Sequence, residues 1–511
     1  MSEKSRALVL DCLIALGTVL AISLLYYCLG SLRASDWPWP VIVVCALLTA
    51  CGLGHYTLVW YLYRRFGHAT VPVASPGSSV DVYVTACDEP CALIERTLRA
   101  AKAITYPHRT YLLDDSRGSR YRDLAAELGC EYLHRGDNHD RKAGNINHAL
   151  EHTSGELLAV FDADHVPAPD FLDRALGFFE TRDVGFVQVM QTFSNADESL
   201  VARAASETAM EYFNVTSVCK ANVGAASKHG TNCVIRRTAL ESISGYRPGL
   251  AEDLETSIEL HAVGWKSAYV CEALAPGLAP ATFDAFCKQQ LKWSRGVFEA
   301  ALGSLRSRDY WLLKRIQRLS YAVRFSYYLV GLFVGLGMLS TAAALCGLGT
   351  TYYEGFLARL LPLAAVAILI RALMLRWKAT QAEARRGLHF RGASLVVSAW
   401  PVYVASLVST LLRIRIPFVS TPKTGAGGLR PALVVPQLVV AVVLVAALVW
   451  RLAHGGVASA PCTITTACLL LAQHWVLAVV IANELRGRLS TAAKSPDGDV
   501  ATSSLQPAET R

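Results

Sequence analysis

Two aspartates, Asp162 and Asp164, lie directly after a run of apolar residues in the stretch "AVFDADHVPAPDF". A chain that leaves a buried strand has no structural need for two like charges on the next turn, and carboxylates this close titrate abnormally unless a cation bridges them. Few, hard oxygen ligands suit Mg²⁺ or Mn²⁺, which proteins bind through one or two carboxylates together with substrate phosphates. The pair therefore predicts a divalent metal that in turn holds a diphosphate.

Two other predicted strands also end in acids. Asp88 and Glu89 follow "DVYVTA", and Asp114 and Asp115 close "TYLLDD", while a helical pattern, "PCALIERTLRAAKAI", lies between the two strands. Strand, helix and strand at this spacing predict a parallel sheet covered by helices, whose ligands bind beyond the carboxyl ends of the strands. We therefore expect the three acidic strand ends to meet in a single crevice.

Three other segments add polar and aromatic candidates. Asp253, in "LAEDLETSIEL", opens a predicted helix, where an acid can equally serve as a helix cap. Gln289, Lys292 and Trp293, in "KQQLKWSRG", lie on a short amphipathic helix just before a membrane segment, where an interfacial Trp is also common. Lys142, in "DRKAGN", suits a phosphate, although a surface lysine in a basic turn explains the spacing as well.

The composition indicates a membrane protein with a soluble-like middle. Of the 511 residues 53% are hydrophobic and 18% are charged, against about 25% charged in soluble domains. A span needs about 20 apolar residues, and six stretches of that kind begin at Ala7, Pro40, Tyr321, Leu357, Pro431 and Pro461. A seventh, from Ala393, is interrupted by Ser, Pro and Tyr and predicts a helix lying in the membrane interface.

Basic residues fix the expected orientation. Arg64 and Arg65, the stretch "RWKATQAEARRGLHFRG" and the tail residues Arg486 and Arg488 all fall on one side of six spans. Because Lys and Arg are retained on the cytoplasmic side, we expect a multi-pass protein of the inner membrane with a cytoplasmic middle domain. No pattern of basic and aromatic residues indicates nucleic-acid binding. The motif "GLFVG" (Gly331, Gly335) is a small-residue packing spacing within a span and does not form a nucleotide loop.

The predicted organisation is an α/β, Rossmann-like domain within an α-helical membrane protein of about six spans. Its segments are two spans (1–71), the catalytic domain (72–305), two spans (306–380), the interfacial helix and a loop (381–430), two spans (431–485) and a polar tail expected to be disordered (486–511).

Four blocks in order, "LLDDS", "FDADH", "AEDLE" and "QQLKW", resemble the signature D, DxD, (T/A)ED, Qxx(R/K)W of processive family-2 glycosyltransferases of the cellulose synthase type. "HRGDNHDRKAGNINHAL" is similar to the stretch that this family has between the first two blocks. The resemblance covers roughly residues 75 to 425 and implies a GT-A fold for the middle domain. The roles it implies are nucleotide contact for Asp114 and Asp115, metal-mediated binding of a sugar nucleotide for Asp162 and Asp164, a general base at Asp253, and acceptor stacking for Trp293 with Gln289 and Lys292 nearby.

After the interfacial helix, "IPFVSTPKTG" resembles the FxVTxK gating loop of cellulose synthases. The resemblance implies that Phe418, Thr421 and Lys423 close over the active site, although Ser420 stands where the family has Val. A basic juxtamembrane loop is the structural alternative.

The sequence departs from the family at two places. In "TACDEP", Cys87 replaces the aromatic residue expected against the uracil, which leaves Thr85 and Glu89 as candidates there. The segment "ASKH" stands before "GTNCVIRR" where relatives have Phe-Phe-Cys, at the position implied for the terminal sugar of the acceptor. Linkage or sugar identity could therefore differ from cellulose.

The function implied is extension of a β-glucan (1,4, 1,3 or mixed linkage) from UDP-glucose, and export of the product through the chain's own spans in the lipid bilayer, with accessory export proteins as possible partners. No cyclic-di-GMP-binding domain is expected. The alternatives are a processive synthase of another polymer (N-acetylglucosamine or hyaluronan type), a non-processive transferase acting on a lipid carrier, and a channel or transporter with a soluble domain. The last would leave the acids at three strand ends unexplained.

Overall fold

A seven-stranded mixed sheet forms the centre of the middle domain. The computed structural model describes residues 2–31, 39–73, 77–116, 118–414, 429–455 and 461–493. The strands are β1 (Val80–Ala86), β2 (Arg109–Asp114), β3 (Glu131–His134), β4 (Leu157–Asp162), β5 (Val184–Val189), β6 (Thr192–Phe193), β7 (Cys233–Arg236), β8 (Lys266–Val270) and β9 (Pro276–Gly277).

The sheet has the order β3-β2-β1-β4-β7-β5-β8, and β6 pairs separately with β9. Strands β1 to β4 are parallel, with Ala86 opposite Asp114 and Thr85 opposite Asp162, so their carboxyl ends reach one edge together. This Rossmann-like arrangement confirms the predicted GT-A-type fold. The three strands from which the parallel sheet was predicted, β1, β2 and β4, are parallel as expected, whereas β7 runs antiparallel to both β4 and β5.

Helices cover both faces of this sheet. One core lies between the sheet and the helix at Cys91–Lys102, and a second lies beneath the helices at Arg141–His152 and Glu252–Ala262. Each core is built from buried Val, Leu, Ile, Ala and aromatic side chains. The helices of the domain are α3 (Cys91–Lys102), α4 (Arg122–Glu127), α5 (Arg141–His152), α6 (Leu200–Glu211), α7 (Ser217–Asn222), α8 (Arg237–Glu241), α9 (Glu252–Ala262), α10 (Phe283–Arg306) and α11 (Arg308–Leu312), with a 3-10 turn at Leu176–Glu180 and a π-helix at Tyr212–Thr216. The helix predicted as short before the membrane is α10, which has 24 residues.

Five helices of the described residues are long and apolar enough to cross a membrane, or up to seven if each of two bent pairs counts as one span. The predicted number of about six lies in this range. The helices outside the sheet domain are α1 (Glu3–Gly30), α2 (Trp39–Tyr63), α12 (Arg315–Ser326), α13 (Val330–Leu345), α14 (Thr350–Lys378), α15 (Ala382–Arg385), α16 (Phe390–Ser398), α17 (Trp400–Leu411), α18 (Val435–His454), α19 (Pro461–Ala472) and α20 (Trp475–Ala493). A 3-10 turn, Tyr327–Leu329, joins α12 to α13, and another, Pro431–Leu433, precedes α18.

The stretch predicted as an interfacial helix forms the bent pair α16 and α17, which meet at 46°. Pro401 lies in the first turn of α17 and has no N–H to continue the hydrogen bonds of α16. The pair packs between the sheet domain and the membrane helices: α16 contacts α6, while α17 contacts α10 and α13. Gly331 of α13 permits this approach, because a Cβ there would lie 2.5 Å from Cβ of Tyr403 and 2.9 Å from the carbonyl oxygen of Trp400.

Ion pairs join the sheet domain to the membrane helices. Arg371 of α14 donates from Nε to Oε2 of Glu211 at the end of α6, at 2.9 Å, and the Tyr63 hydroxyl donates to the same carboxylate. Arg391 binds Glu207, one turn earlier on α6. Glu207 is buried, Arg371 and Glu211 are partly buried, and the two ion pairs hold α6 against α14 and α16.

Candidate active site

The carboxyl ends of β1, β2 and β4 form the sheet edge of the site. The Thr85 hydroxyl donates to the carbonyl oxygen of Phe161 at 3.3 Å and lies 3.5 Å from Oδ1 of Asp162. The Glu89 carboxylate accepts from the backbone N–H of Cys87 at 2.7 Å, which closes the loop after β1. Burial, together with Asp88, Glu89 and Asp115, raises the pKa of Cys87 to about 12, so this thiol stays protonated.

Asp162, Asp164 and the adjacent His165 present ligand atoms that all lie within 4.8 Å of one another. The Asp164 side chain is 1% exposed, and its Oδ2 accepts from the backbone N–H of Leu278 at 2.9 Å. The other oxygen, Oδ1, lies 3.5 Å from Nδ1 of His165. Two carboxylates and an imidazole form a donor set that suits Mn²⁺ or Mg²⁺.

Lys142, in the first turn of α5, adds a positive charge beside these acids. Its ammonium donates to the carboxylate of Asp162 and to the carbonyl oxygen of Gly230. Burial acts against this charge, but Asp162 and Glu252 outweigh it, so the pKa of Lys142 is raised. The lysine is therefore protonated at neutral pH, next to the carboxylates that would hold a metal.

The two aspartates after β2 have different surroundings. The Asp114 carboxylate is fully buried, where it accepts from the backbone N–H of Ser116 at 2.8 Å and from the Tyr132 hydroxyl at 2.7 Å. Asp115 lines the cavity described below, and its Oδ1 accepts from Nε of Arg135 at 2.5 Å. Burial raises the pKa of Asp115 in spite of that arginine. Of the two predicted nucleotide contacts, Asp115 is therefore the one that faces the cavity.

Asp253 and Glu252 lie in the first turn of α9, where the helix dipole favours carboxylates. Burial raises the pKa of both groups, and the charge of Asp253 raises the pKa of Glu252 further. Arg324 and Lys228 act in the opposite direction on Asp253 and offset only part of the effect of burial. A carboxylate with a raised pKa is a stronger base than an exposed aspartate.

Gln289, Lys292 and Trp293 lie on α10, and the Trp293 side chain is 36% exposed. The buried face of the helix is fixed against α17: the Tyr403 hydroxyl donates to Oε1 of Gln290 at 3.2 Å, and a hydrogen bond of 2.6 Å joins the hydroxyls of Ser294 and Ser406. Trp293 therefore projects from a helix whose position is set by the bent pair.

One cavity of about 1300 Å³ brings these groups together and continues between the membrane helices. Of the predicted site residues, those that line it are Thr85, Glu89, Asp115, Lys142, Asp162, Asp164, Asp253, Gln289, Lys292 and Trp293. Farther along, its wall includes Gly337 of α13, Tyr353 and Leu357 of α14 and Leu470 of α19. Phe418, Thr421 and Lys423 lie outside the described residues.

Several polar residues of the cavity were not predicted as site residues, among them His165, Lys220 and Arg324. His165 directly follows the aspartate pair. A histidine, itself a possible metal ligand, beside two candidate metal ligands is a signal that the sequence already contained. Lys220 and Arg324 also line the cavity. In the sequence, each of them is a basic residue within an otherwise apolar helical pattern. Hydrophobic periodicity does not show which residues such a side chain contacts.

Comparisons with known proteins agree with this geometry. Residues 76–296 match the sequence model of a family described as glycosyltransferase like family 2. The UDP-forming cellulose synthase catalytic subunit of Xanthomonas axonopodis pv. citri (strain 306) is 31% identical over 301 residues, which are 54% of this chain and 39% of that protein. The corresponding subunit of Pseudomonas fluorescens (strain SBW25) is 31% identical over 238 residues, or 43% of this chain and 31% of that protein. The chain thus matches well under half the length of these relatives.

Solved structures also resemble the chain, at low sequence identity. A mannosyltransferase from Pyrobaculum calidifontis in complex with GDP-Man and Mn²⁺ has a TM-score of 0.48 and 18% identity over 72% of this chain and 99% of its own. Glucosyl-3-phosphoglycerate synthase from Mycobacterium tuberculosis, in complex with Mn²⁺, UDP and glucosyl-3-phosphoglycerate, has a TM-score of 0.33 and 17% identity over 44% of this chain and 80% of its own.

Proposed function

We propose that the chain is a processive, inverting membrane glycosyltransferase, since its residues 76–296 match the family model described as glycosyltransferase like family 2. It transfers glucose from UDP-glucose to a growing β-glucan, in 1,4, 1,3 or mixed linkage, and passes the product between its own membrane helices. The observation that carries this proposal is the single cavity that Asp164, Asp253 and Trp293 share with the membrane helices. Relatives named UDP-forming cellulose synthase subunits support UDP as the leaving group.

The donor binds at the sheet edge. Thr85, Glu89 and Asp115 contact the nucleoside, and the buried Asp114 holds the turn after β2 by accepting from the backbone N–H of Ser116. Asp162 and Asp164 would hold a divalent cation, Mg²⁺ or Mn²⁺, and His165 offers a third ligand within the same 4.8 Å group. A cation held there would supply positive charge to offset the charge of the departing diphosphate. The protonated Lys142 contributes a further positive charge on the same side.

The transfer step uses Asp253 as general base. An inverting reaction needs one base on the face opposite the leaving group. Asp253 takes the proton of the acceptor hydroxyl as the oxygen of that hydroxyl bonds to C1 of glucose, and the bond from C1 to the diphosphate oxygen breaks to release UDP. The raised pKa of Asp253 favours this proton transfer.

The acceptor end of the glucan rests on α10. The indole face of Trp293 stacks on the apolar face of the terminal sugar, and Gln289 and Lys292 hydrogen-bond its hydroxyls. Phe418, Thr421 and Lys423 act as a gating loop that closes over the donor. The sheet domain lies in the cytoplasm and the helices in the inner membrane, which matches the distribution of basic residues.

Membranes containing the chain test this proposal. With labelled UDP-glucose and Mg²⁺ or Mn²⁺ we expect an insoluble labelled polymer that a linkage-specific β-glucanase digests. Asp253→Asn should abolish it, whereas Asp183→Asn, at an exposed ion pair with Lys266, should not. Short lipid-soluble products would instead indicate a transferase to a lipid carrier. Turnover of UDP-N-acetylglucosamine alone would indicate another polymer, and no turnover of any sugar nucleotide would reject a transferase.

A further inference from the structure

The last turn of α5 carries three metal-ligating side chains, His148, Glu151 and His152, which we call the α5 cluster. One ligand atom of each residue lies within 4.8 Å of those of the other two. Residues three and four positions apart share one face of a helix, so the spacing in "HALEH" brings two imidazoles and a carboxylate together. Glu151 and His152 are exposed and His148 is half-buried, so an ion in solution can reach the cluster.

The ring of His152 is held in a form that binds a cation. Its Nδ1 lies 2.8 Å from the backbone carbonyl oxygen of His148. A carbonyl oxygen only accepts, so Nδ1 carries the proton and donates, and the lone pair of the neutral ring lies on Nε2. Histidines that bind metals commonly donate their other ring N–H to a backbone carbonyl in this way, which fixes the tautomer and the orientation of the ring.

The second imidazole lies close to the first. The ring centroids of His148 and His152 are 4.3 Å apart, with an angle of 67° between the ring planes. Burial, together with the charges of His152 and Arg135, lowers the pKa of His148, so this ring is mostly neutral at pH 7. The neutral imidazole is the form that binds a metal ion.

The electrostatic surroundings of the α5 cluster favour a cation. The charge of Arg135 acts on His148, but the guanidinium is already paired with Asp115 and Asp137. Glu151 contributes one negative charge to the cluster itself. The cluster also lies at the carboxyl end of α5, where the helix dipole places partial negative charge and stabilises cations.

The donor atoms of the α5 cluster indicate which cation it would take. Histidines at i and i+4 on one helix face are the spacing of helical zinc sites, and three protein ligands leave the fourth position of Zn²⁺ to water. The group of Asp162, Asp164 and His165 has two carboxylates and one imidazole, whereas the α5 cluster has the reverse. Imidazole suits Zn²⁺, and carboxylate suits Mg²⁺ and Mn²⁺, so the two groups should select different ions.

We propose that the α5 cluster is a second metal site, which binds Zn²⁺ through Nε2 of His152, a ring nitrogen of His148 and the Glu151 carboxylate. The inference goes beyond the proposed function, because this zinc takes no part in sugar transfer. It holds the last turn of α5, the helix whose first turn places Lys142 against Asp162. A metal that binds the folded chain in preference to the unfolded chain raises the free energy of unfolding, so Zn²⁺ increases thermal stability.

Zinc binding to the full chain in lipid nanodiscs tests the proposal. Zn²⁺ is added at micromolar concentration in the presence of excess Mg²⁺, and calorimetry is combined with hydrogen exchange of the peptide that contains residues 148–152. We expect slower exchange in this peptide, a higher unfolding temperature, and one more bound Zn²⁺ in the wild type than in His148→Ala. The comparison with the variant is needed because exposed cysteines of the chain also bind Zn²⁺. Mg²⁺ alone should leave the exchange of this peptide unchanged.

Variants assign the bound zinc to the α5 cluster. His148→Ala and His152→Ala should each raise the Kd for Zn²⁺ at this site by at least about 10-fold, since loss of a group that merely supports a metal ligand already has that effect. Glu151→Gln keeps the shape of the side chain and should raise the Kd less. His139→Ala, at an 83% exposed histidine before α5, is the matched control. Thermal unfolding without zinc identifies a variant that fails to fold, and Glu151→Gln then carries the test.

Two results would overturn the inference. One is an exchange rate of residues 148–152 that micromolar Zn²⁺ does not change, and the other is a slowing that persists in both His148→Ala and His152→Ala. Neither result affects the proposed function, because UDP release is measured separately and His148→Ala should keep the wild-type rate with Mg²⁺. A chain that binds zinc at the α5 cluster but releases no UDP would reject the transferase and support the inference.

Discussion

The two ends of the cavity differ in charge and in the elements that build them. At the end where we propose that the donor binds, acids such as Asp115, Asp162 and Asp164 come from the ends of parallel strands. At the end where we propose that the acceptor binds, basic and aromatic side chains such as Lys228 and Trp293 come from helices and from the segment before β7. An acidic end needs a cation before it can hold a diphosphate, whereas an aromatic face can stack on a sugar directly. The same cavity is therefore divided into two sites that select ligands by different means.

The largest effect is expected at the boundary between the two ends. Asp253→Asn keeps the shape of the side chain but removes the base, so we expect sugar transfer to fall by about 10³-fold or more. The measurement is UDP release and polymer yield per mole of folded enzyme, with Asp183→Asn as control. Activity within 10-fold of wild type would assign the base to another residue.

A smaller loss is expected at the donor end. Asp164→Asn can still accept from the N–H of Leu278 but has lost the charge that binds a cation, so we expect activity to fall by about 10²-fold, with partial recovery at high Mn²⁺. His165→Ala should raise the Mn²⁺ concentration for half-maximal activity by about 10-fold. Titrations of activity with Mn²⁺ and Mg²⁺ measure both effects. If the dependence of activity on metal concentration were unchanged in both variants, the metal would not bind at Asp164 and His165.

A loss of about 10-fold in acceptor affinity is expected at Trp293. Trp293→Ala removes the stacking face, so products should become shorter while the KM for UDP-glucose stays the same. Trp293→Phe should retain most of the affinity. Trp311→Ala, at a 55% exposed tryptophan of α11, is the matched control. Product length distributions identical to wild type in Trp293→Ala would contradict a stacking role.

The smallest expected effect is a shift in the pH dependence of kcat. Burial raises the pKa of Asp253, so the acid limb of kcat should lie above pH 4, the value of an ordinary aspartate. Below its raised pKa the carboxyl is protonated and cannot accept the acceptor's proton. The charge of Lys228 lowers the pKa of Asp253, so Lys228→Met should shift the limb to higher pH by several tenths of a unit, while Lys102→Met should not. A shift toward lower pH would contradict the assignment of the limb to Asp253.

The donor end was more predictable from sequence than the acceptor end. Asp162 ends and Asp164 follows a strand that a short, continuous apolar run identifies, and parallel strands bring their carboxyl ends to one edge. The sequence pattern could not show which of Asp114 and Asp115 faces the cavity. Successive side chains at a strand end point to opposite faces of the sheet, so a difference of one residue changes the answer. Nor could it predict β7, since strand direction depends on connections that local periodicity does not record.

The acceptor end depends on contacts between distant parts of the chain. Lys220, Lys228 and Arg324 come from three segments that only the packed structure brings to one wall. The sequence does not show which residues a lysine in an apolar pattern contacts. Nor does residue spacing show that an aromatic ring such as that of Tyr246 lies beside it. The length of α10 was also missed, because the motif at 288–296 covers only part of the helix, whose buried residues Val297, Phe298 and Ala300 continue beyond it.

The most direct test of the account is a structure determined by electron cryo-microscopy during turnover with UDP-glucose, Mn²⁺ and acceptor. The account predicts a cation and a nucleoside diphosphate against Asp162 and Asp164, and continuous saccharide density from Trp293, past Asp253, into the space between α13 and α14. Nucleotide and saccharide in separate cavities, or saccharide that leaves the site toward the cytoplasm, would contradict it.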